Sequence, residues 1–80
     1  MSNTYRDPRG RTIEVVVGIG KDVFFSAHRG HRVKSKFLPP RDTFLEAQAD
    51  LDAYALSKRW ARVNDDGSLD RTWWMKKVAL

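Results

Sequence analysis

Residues 43–60, TFLEAQADLDAYALSKRW, carry the clearest structural signal in the sequence, and they contain no glycine or proline. Thr43 and Glu46 have the T-x-x-E spacing of a capping box, in which side chains at the start of a helix satisfy free backbone amides. At the 3.6-residue helical period, one apolar face forms. That face comprises Phe44, Ala47, Leu51, Tyr54 and Ala55. The sequence therefore predicts an amphipathic helix from Thr43 to about Trp60.

The same helix carries a second apolar face, roughly 120–140° from the first at that period. Its members are Leu45, Ala49, Leu56 and Trp60. A sheet can cover only one of the two faces, so the other must be covered by residues 69–80 or by another molecule. We expect docking within the chain, because large exposed apolar patches are rare on monomeric proteins.

Three β-rich segments precede the helix. Residues 12–17 are β-branched, residues 23–29 form a second apolar run, and residues 32–38 alternate cations with smaller or apolar side chains. Glycines separate the segments, and a proline pair follows the third; both features are typical of strand ends. We therefore expect an α+β domain: a three-stranded antiparallel sheet with one helix packed on one face, in the order β-β-β-α.

The two ends of the chain give weaker patterns. Residues 1–11 contain the turn-forming run Asp7-Pro8-Arg9-Gly10 and are expected to be a flexible basic lead-in to a single domain over residues 12–80. Residues 69–80 form a short C-terminal element, and the sequence does not decide between a helix and a strand there. A serine before it could cap a helix, while its tryptophan pair suits a strand equally well.

Composition limits the available chemistry. The 80 residues include no cysteine, which excludes disulfides, thiolate catalysis and cysteine-based zinc sites. Without a disulfide framework, an apolar leader or a membrane span, a cytoplasmic location is expected. Residues 1–41 carry nine Lys and Arg against three acids, which gives +6, and residues 42–80 carry six against seven, which gives −1. The excess positive charge therefore lies in the first half of the chain, and this asymmetry favours an anionic partner.

Strand alternation would place the cations of residues 32–38 on the open face of the sheet. The predicted polyanion site consists of Arg32, Lys34, Lys36, His28, Phe24 and Arg29. Cations around an exposed aromatic ring suit phosphate contacts combined with base stacking. An ordinary solvated sheet face, with lysines protecting an edge from aggregation, is the competing interpretation. If this face is inactive, Arg6, Arg9 and Arg11 are the next candidates.

No constellation favours catalysis, a cofactor or a metal. His28 and His31 are the only histidines, and a zinc site needs three or four protein ligands. We therefore expect a non-catalytic binding module, either monomer or weak homodimer, that has no small-molecule substrate. Its partner would be nucleic acid, another polyanion or an acidic protein surface.

The alternative function is a protein-interaction module, such as an inhibitor or adaptor encoded by a phage or mobile element. It would use Trp73 and Trp74 together with Trp60 on the second helix face, because exposed tryptophans are favoured interface anchors. Adjacent side chains point in different directions, so the two C-terminal rings should differ in burial. Lys76 and Lys77 beside them also allow a membrane-surface interpretation.

Overall fold

The computed structural model describes residues 3–18, 20 and 23–75, which form one helix and six short strands. The elements are β1 (Thr4–Arg6), β2 (Thr12–Val17), β3 (Phe24–His28), β4 (His31–Arg32), α1 (Phe44–Lys58), β5 (Ala61–Val63) and β6 (Leu69–Asp70). All paired strands are antiparallel, in the order β4-β3-β2-β1-β5-β6. The predicted α+β domain with one helix and an antiparallel sheet is confirmed, but the described sheet has six strands instead of three.

The largest difference from the prediction lies in residues 1–11, expected to be a flexible lead-in. β1 instead occupies the middle of the sheet, between β2 and β5. Tyr5 is only 1 % exposed, and its hydroxyl donates to Asp52 of α1 at 2.6 Å. Burial and this carboxylate both raise the pKa of Tyr5 above its ordinary value. A single core-facing side chain in a three-residue strand gives no periodic signal, so the sequence pattern did not reveal β1.

The turn between β1 and β2 is organised by the buried carboxylate of Asp7. Its Oδ1 accepts the backbone amides of Arg9 and Arg11 at 3.0 and 2.8 Å, and its Oδ2 accepts Nε of Arg11 at 2.7 Å. Gly10 closes the turn with a φ of 81°, which costs glycine little. Burial alone would raise the pKa of Asp7, but the hydrogen bonds and charge of Arg11 outweigh it and hold that pKa below its usual range.

β3 and β4 form a tight hairpin. Its turn residues, Arg29 and Gly30, have φ angles of 51° and 80°, and positive φ at both positions is what a two-residue type I′ turn requires. β4 contains only His31 and Arg32. The prediction of a third strand over residues 32–38 is therefore wrong beyond Arg32.

The chain leaves the sheet after Val33, whose amide donates to β3 at 2.9 Å. Arg41 then takes the neighbouring place on β3, and it exchanges backbone hydrogen bonds with Phe24 at 2.7 and 2.8 Å. Residues 34–40 loop out between these two points and insert Leu38 into the core. Burial of this leucine, and not the alternation of cations, sets the path of the segment.

α1 begins and ends close to the predicted positions. The Thr43 hydroxyl accepts the amide of Glu46 at 3.2 Å and donates to its carboxylate at 2.8 Å, while Arg59 caps the other end in the left-handed conformation. The buried side chains of the helix are Ala47, Gln48, Leu51 and Ala55. Three of these, Ala47, Leu51 and Ala55, belong to the first apolar face, so the prediction that this face packs against the core is confirmed. No helix among the described residues is long and apolar enough to cross a membrane.

The predicted second helix face is covered only in part. Leu45 is 79 % exposed and Ala49 is also exposed, whereas Leu56 is half-buried and Trp60 is buried just beyond the end of the helix. The described residues therefore leave the first half of this face exposed and cover only its second half.

Part of the C-terminal element docks within the chain, as expected. It starts as a strand, β6, and continues through turns that place Trp73 in the core. Trp73 is 4 % exposed, and its Nε1 donates to the carbonyl oxygen of Trp60 at 2.7 Å. Residues 76–80, which include Lys76 and Lys77, lie outside the described residues. The buried cluster that results comprises Tyr5, Ile13, Leu38, Leu51, Ala55, Trp60 and Trp73.

Leu51→Ala should lower the free energy of unfolding by about 2–5 kcal/mol, because truncating a buried leucine leaves a cavity. Leu45→Ala is the matched control on the same helix, and at 79 % exposure it should change stability by less than about 0.5 kcal/mol. Urea denaturation followed by tryptophan fluorescence measures both variants. Equal effects of the two substitutions would contradict the phase of α1.

The Asp7 turn predicts a pH-dependent contribution to stability. A carboxyl whose pKa is lower in the folded state stabilises the fold above its unfolded pKa, and that contribution is lost as the pH falls through the folded pKa. Asp7→Asn should therefore be less stable than the parent protein at neutral pH, by about 1–3 kcal/mol for the lost charged hydrogen bonds.

The stability difference between Asp7→Asn and the parent protein should shrink as the pH falls through the folded pKa of Asp7. Denaturation midpoints measured across acid pH test this. Asp65→Asn, in the exposed turn before β6, is the control and should follow the parent curve. A constant gap between Asp7→Asn and the parent at all pH values would show that the Asp7 charge is not what stabilises the turn.

Candidate functional site

The six residues of the predicted polyanion site do not form one surface. Arg32 is exposed on β4, but Lys34 and Lys36 lie in the loop of residues 34–40, where strand alternation does not apply. Nζ of Lys36 lies 5.2 Å from the ring centre of Phe37. The regular row of cations expected on the open sheet face is therefore absent from the described residues.

Phe24 does not lie on the open face either. Its ring packs edge-on against Phe44 of α1, with ring centroids 6.1 Å apart. Ser26, two residues along β3, is buried on the same side and pairs with Val15, which packs against the core. The side of β3 that faces the helix is thus opposite to the predicted one. Both sides of this strand carry apolar residues, so its pairing with β2 decides which side faces the helix.

His28 and Arg29 lie close to the β1–β2 hairpin. Nδ1 of His28 is 3.2 Å from the carbonyl oxygen of Thr12, and Arg29 is exposed in the β3–β4 turn. Both side chains line a pocket of about 320 Å³ that also contains Arg6 and Glu14. The structure therefore places one predicted site residue, Arg29, beside an arginine from the segment expected to be flexible.

A second pocket, of about 290 Å³, shares Arg6 with the first. Arg59 at the C-cap of α1 and Arg71 after β6 also line it, together with Asp7. The Asp7 carboxylate is engaged by the hydrogen bonds of its own turn, so its charge is already compensated there. Three arginines from three distant segments consequently line one concave surface.

We call Arg29, Arg6, Arg59 and Arg71 the arginine track. None of the four forms an ion pair with a described residue. Nε of Arg6 donates to the Thr12 hydroxyl at 3.1 Å, and the guanidinium of Arg59 lies 5.0 Å from the ring centre of Trp74. A guanidinium has five N–H donors, so these contacts leave donors available to a ligand. Glu14, in the first pocket, is the acid that opposes the track.

Sequence reasoning identified only part of this set. It included Arg29, and it named Arg6 as a next candidate alongside Arg9 and Arg11. Of those last two, Arg11 is bound to Asp7 and Arg9 is exposed in the turn. Arg59 and Arg71 were missed, since no local pattern connects them to the N-terminus. Only the pairing of β1 with β5 brings these segments together.

The tryptophans of the alternative interaction site are mostly internal. Trp60 and Trp73 are buried and hydrogen-bonded to each other, while Trp74 is half-buried beneath Arg59. The predicted difference in burial between the two adjacent rings is confirmed. In this fold Trp60 and Trp73 contribute to the core and are not available as anchors for a partner.

The two histidines face each other across the β3–β4 hairpin. Within residues 3–18, 20 and 23–75, no group of three His, Asp or Glu side chains is arranged as a set of metal ligands.

The chain was compared with protein families, curated proteins and solved structures. No family matches the sequence, and neither the curated proteins nor the solved structures gave a match. The arrangement of the described residues is therefore the basis for any functional proposal.

Proposed function

We propose that this protein is a non-catalytic module that binds nucleic acid or another polyanion, and that the arginine track is its contact surface. The observation that carries the proposal is that Arg6 lines both pockets. Arginines from four segments therefore line two neighbouring pockets. The planar guanidinium fork matches phosphate oxygens and binds them in bidentate fashion, which supports a phosphate-bearing ligand.

The distribution of charge supports the same ligand class. The first half of the chain carries a net charge of +6, from nine cations and three acids. Arg32, Lys34 and Lys36 are exposed and form no ion pair with a described residue. Such side chains add to the long-range field that draws a polyanion toward the surface, while the pockets provide the close contacts.

The proposal is tested by two double variants that change the net charge equally. Arg59→Glu with Arg71→Glu reverses part of the track, and Lys34→Glu with Lys36→Glu reverses the loop. Arg6 is left intact because it is half-buried and bonded to Thr12. The ligands are fluorescently labelled single-stranded DNA and RNA of mixed sequence, followed by anisotropy at low salt.

The track variant should lose affinity by about tenfold or more and show a shallower salt dependence, because each lost phosphate contact lowers the salt slope by about one. The loop variant should lose less. The absence of any binding by the parent protein would refute the proposed function. A larger loss in the loop variant would place the contact surface on Lys34 and Lys36 instead.

A protein-interaction module is the second candidate function, and the exposure of Leu45 on α1 favours it. A large apolar side chain left 79 % exposed at the start of a helix could contact a partner protein. Salt discriminates between the two functions, since a phosphate-based complex weakens steeply with salt and an apolar contact does not.

A further inference from the structure

A third pocket lies between α1 and the loop of residues 34–40, and it has a different character from the arginine track. Its volume is about 520 Å³, within the range of ligand sites. Phe37 lines it and is 61 % exposed. The Phe37 ring stacks on Tyr54 of α1, with centroids 6.1 Å apart and planes 27° from parallel. The pocket thus presents an exposed aromatic surface supported by a second ring.

Two lysines cover part of this aromatic pair. Nζ of Lys36 lies over the Phe37 ring, 5.2 Å from its centre, and Nζ of Lys58 lies over the Tyr54 ring, 5.7 Å from its centre. The pocket also contains Asp50, whose carboxylate accepts Nε and Nη2 of Arg41 at 2.7 and 3.2 Å. Since that carboxylate is already paired, the uncompensated charge at the pocket is positive.

We propose that this pocket is a stacking site for one unpaired base of a single-stranded nucleic acid, in which the base takes the place of the exposed Lys36 ammonium on the Phe37 ring and Lys36 and Lys58 contact the phosphates beside it. The inference rests on the proposed function and specifies its ligand. Every base has a flat π-face, so an exposed aromatic ring flanked by cations binds single strands with little dependence on sequence. In a duplex the bases are stacked and paired, and they cannot reach such a surface.

The stacking pocket and the arginine track both include residues at the C-terminal end of α1. Lys58 lines the stacking pocket, and the next residue, Arg59, lines the pocket that it shares with Arg6 and Arg71. A single strand that contacts the track at Arg59 would pass close to the pocket that contains Lys58.

The test compares a ligand that has bases with one that lacks them. Phe37→Ala should weaken binding to single-stranded DNA by about tenfold, within the range for loss of one base–aromatic stack, and leave binding to heparin unchanged. Phe37→Tyr keeps an aromatic face and should retain binding to both ligands. Val17→Ala, which trims another exposed apolar side chain, is the control and should bind as the parent does. Urea denaturation verifies that the variants are folded.

The outcomes separate this inference from the proposed function. Unchanged affinity of Phe37→Ala for single-stranded DNA, or an equal loss for DNA and heparin, would overturn the stacking site and leave polyanion binding in place. If the parent protein binds neither polymer, the proposed function fails. The pocket is then probed by NMR with a nucleoside monophosphate at millimolar concentration. Shifts of the Phe37 and Tyr54 ring protons would support the stacking site, and their absence would overturn it.

Discussion

The insertion of β1 between β2 and β5 joins the two halves of the sheet. This strand of three residues pairs Tyr5 with Ile13 on one side and with Arg62 on the other. The Tyr5 ring contacts Trp73 with centroids 5.1 Å apart, and its hydroxyl bonds to Asp52 of α1. Tyr5 thus connects the β2-β3-β4 half of the sheet, the helix and the C-terminal segment. Without β1, the two halves of the sheet would have no shared strand.

The candidate binding surface is a consequence of the same insertion. Successive side chains of a strand point to opposite faces, so burial of Tyr5 turns Arg6 to the other side, where it bonds to Thr12. There Arg6 lies in both pockets, between the hairpin that carries Arg29 and the segments that carry Arg59 and Arg71. The fold therefore gathers arginines that are far apart in the sequence.

The sequence allowed prediction of those parts of the fold whose signals are local. A capping box and a regular apolar period mark α1, a β-branched run marks β2, and a pair of phenylalanines begins β3. β1, β5 and β6 have two or three residues each, too few to show an alternating pattern, and the ladder between β1 and β5 joins residues far apart in the sequence. The same limit applies to the site. Arg29 was predicted from its charged hairpin, whereas Arg59 and Arg71 require the tertiary pairing to be known.

Residue-resolved amide hydrogen exchange tests the position of β1 most directly. In an inner strand the N–H groups bond alternately to the two neighbouring strands, so all three amides of Thr4–Arg6 should exchange as slowly as those of β2. The amides of Asp65 and Asp66 in the exposed turn before β6 should exchange fast and serve as the internal reference. If the amides of Thr4–Arg6 exchange as fast as that turn while β2 and β3 stay protected, β1 is not part of the sheet, and Tyr5 does not join its two halves.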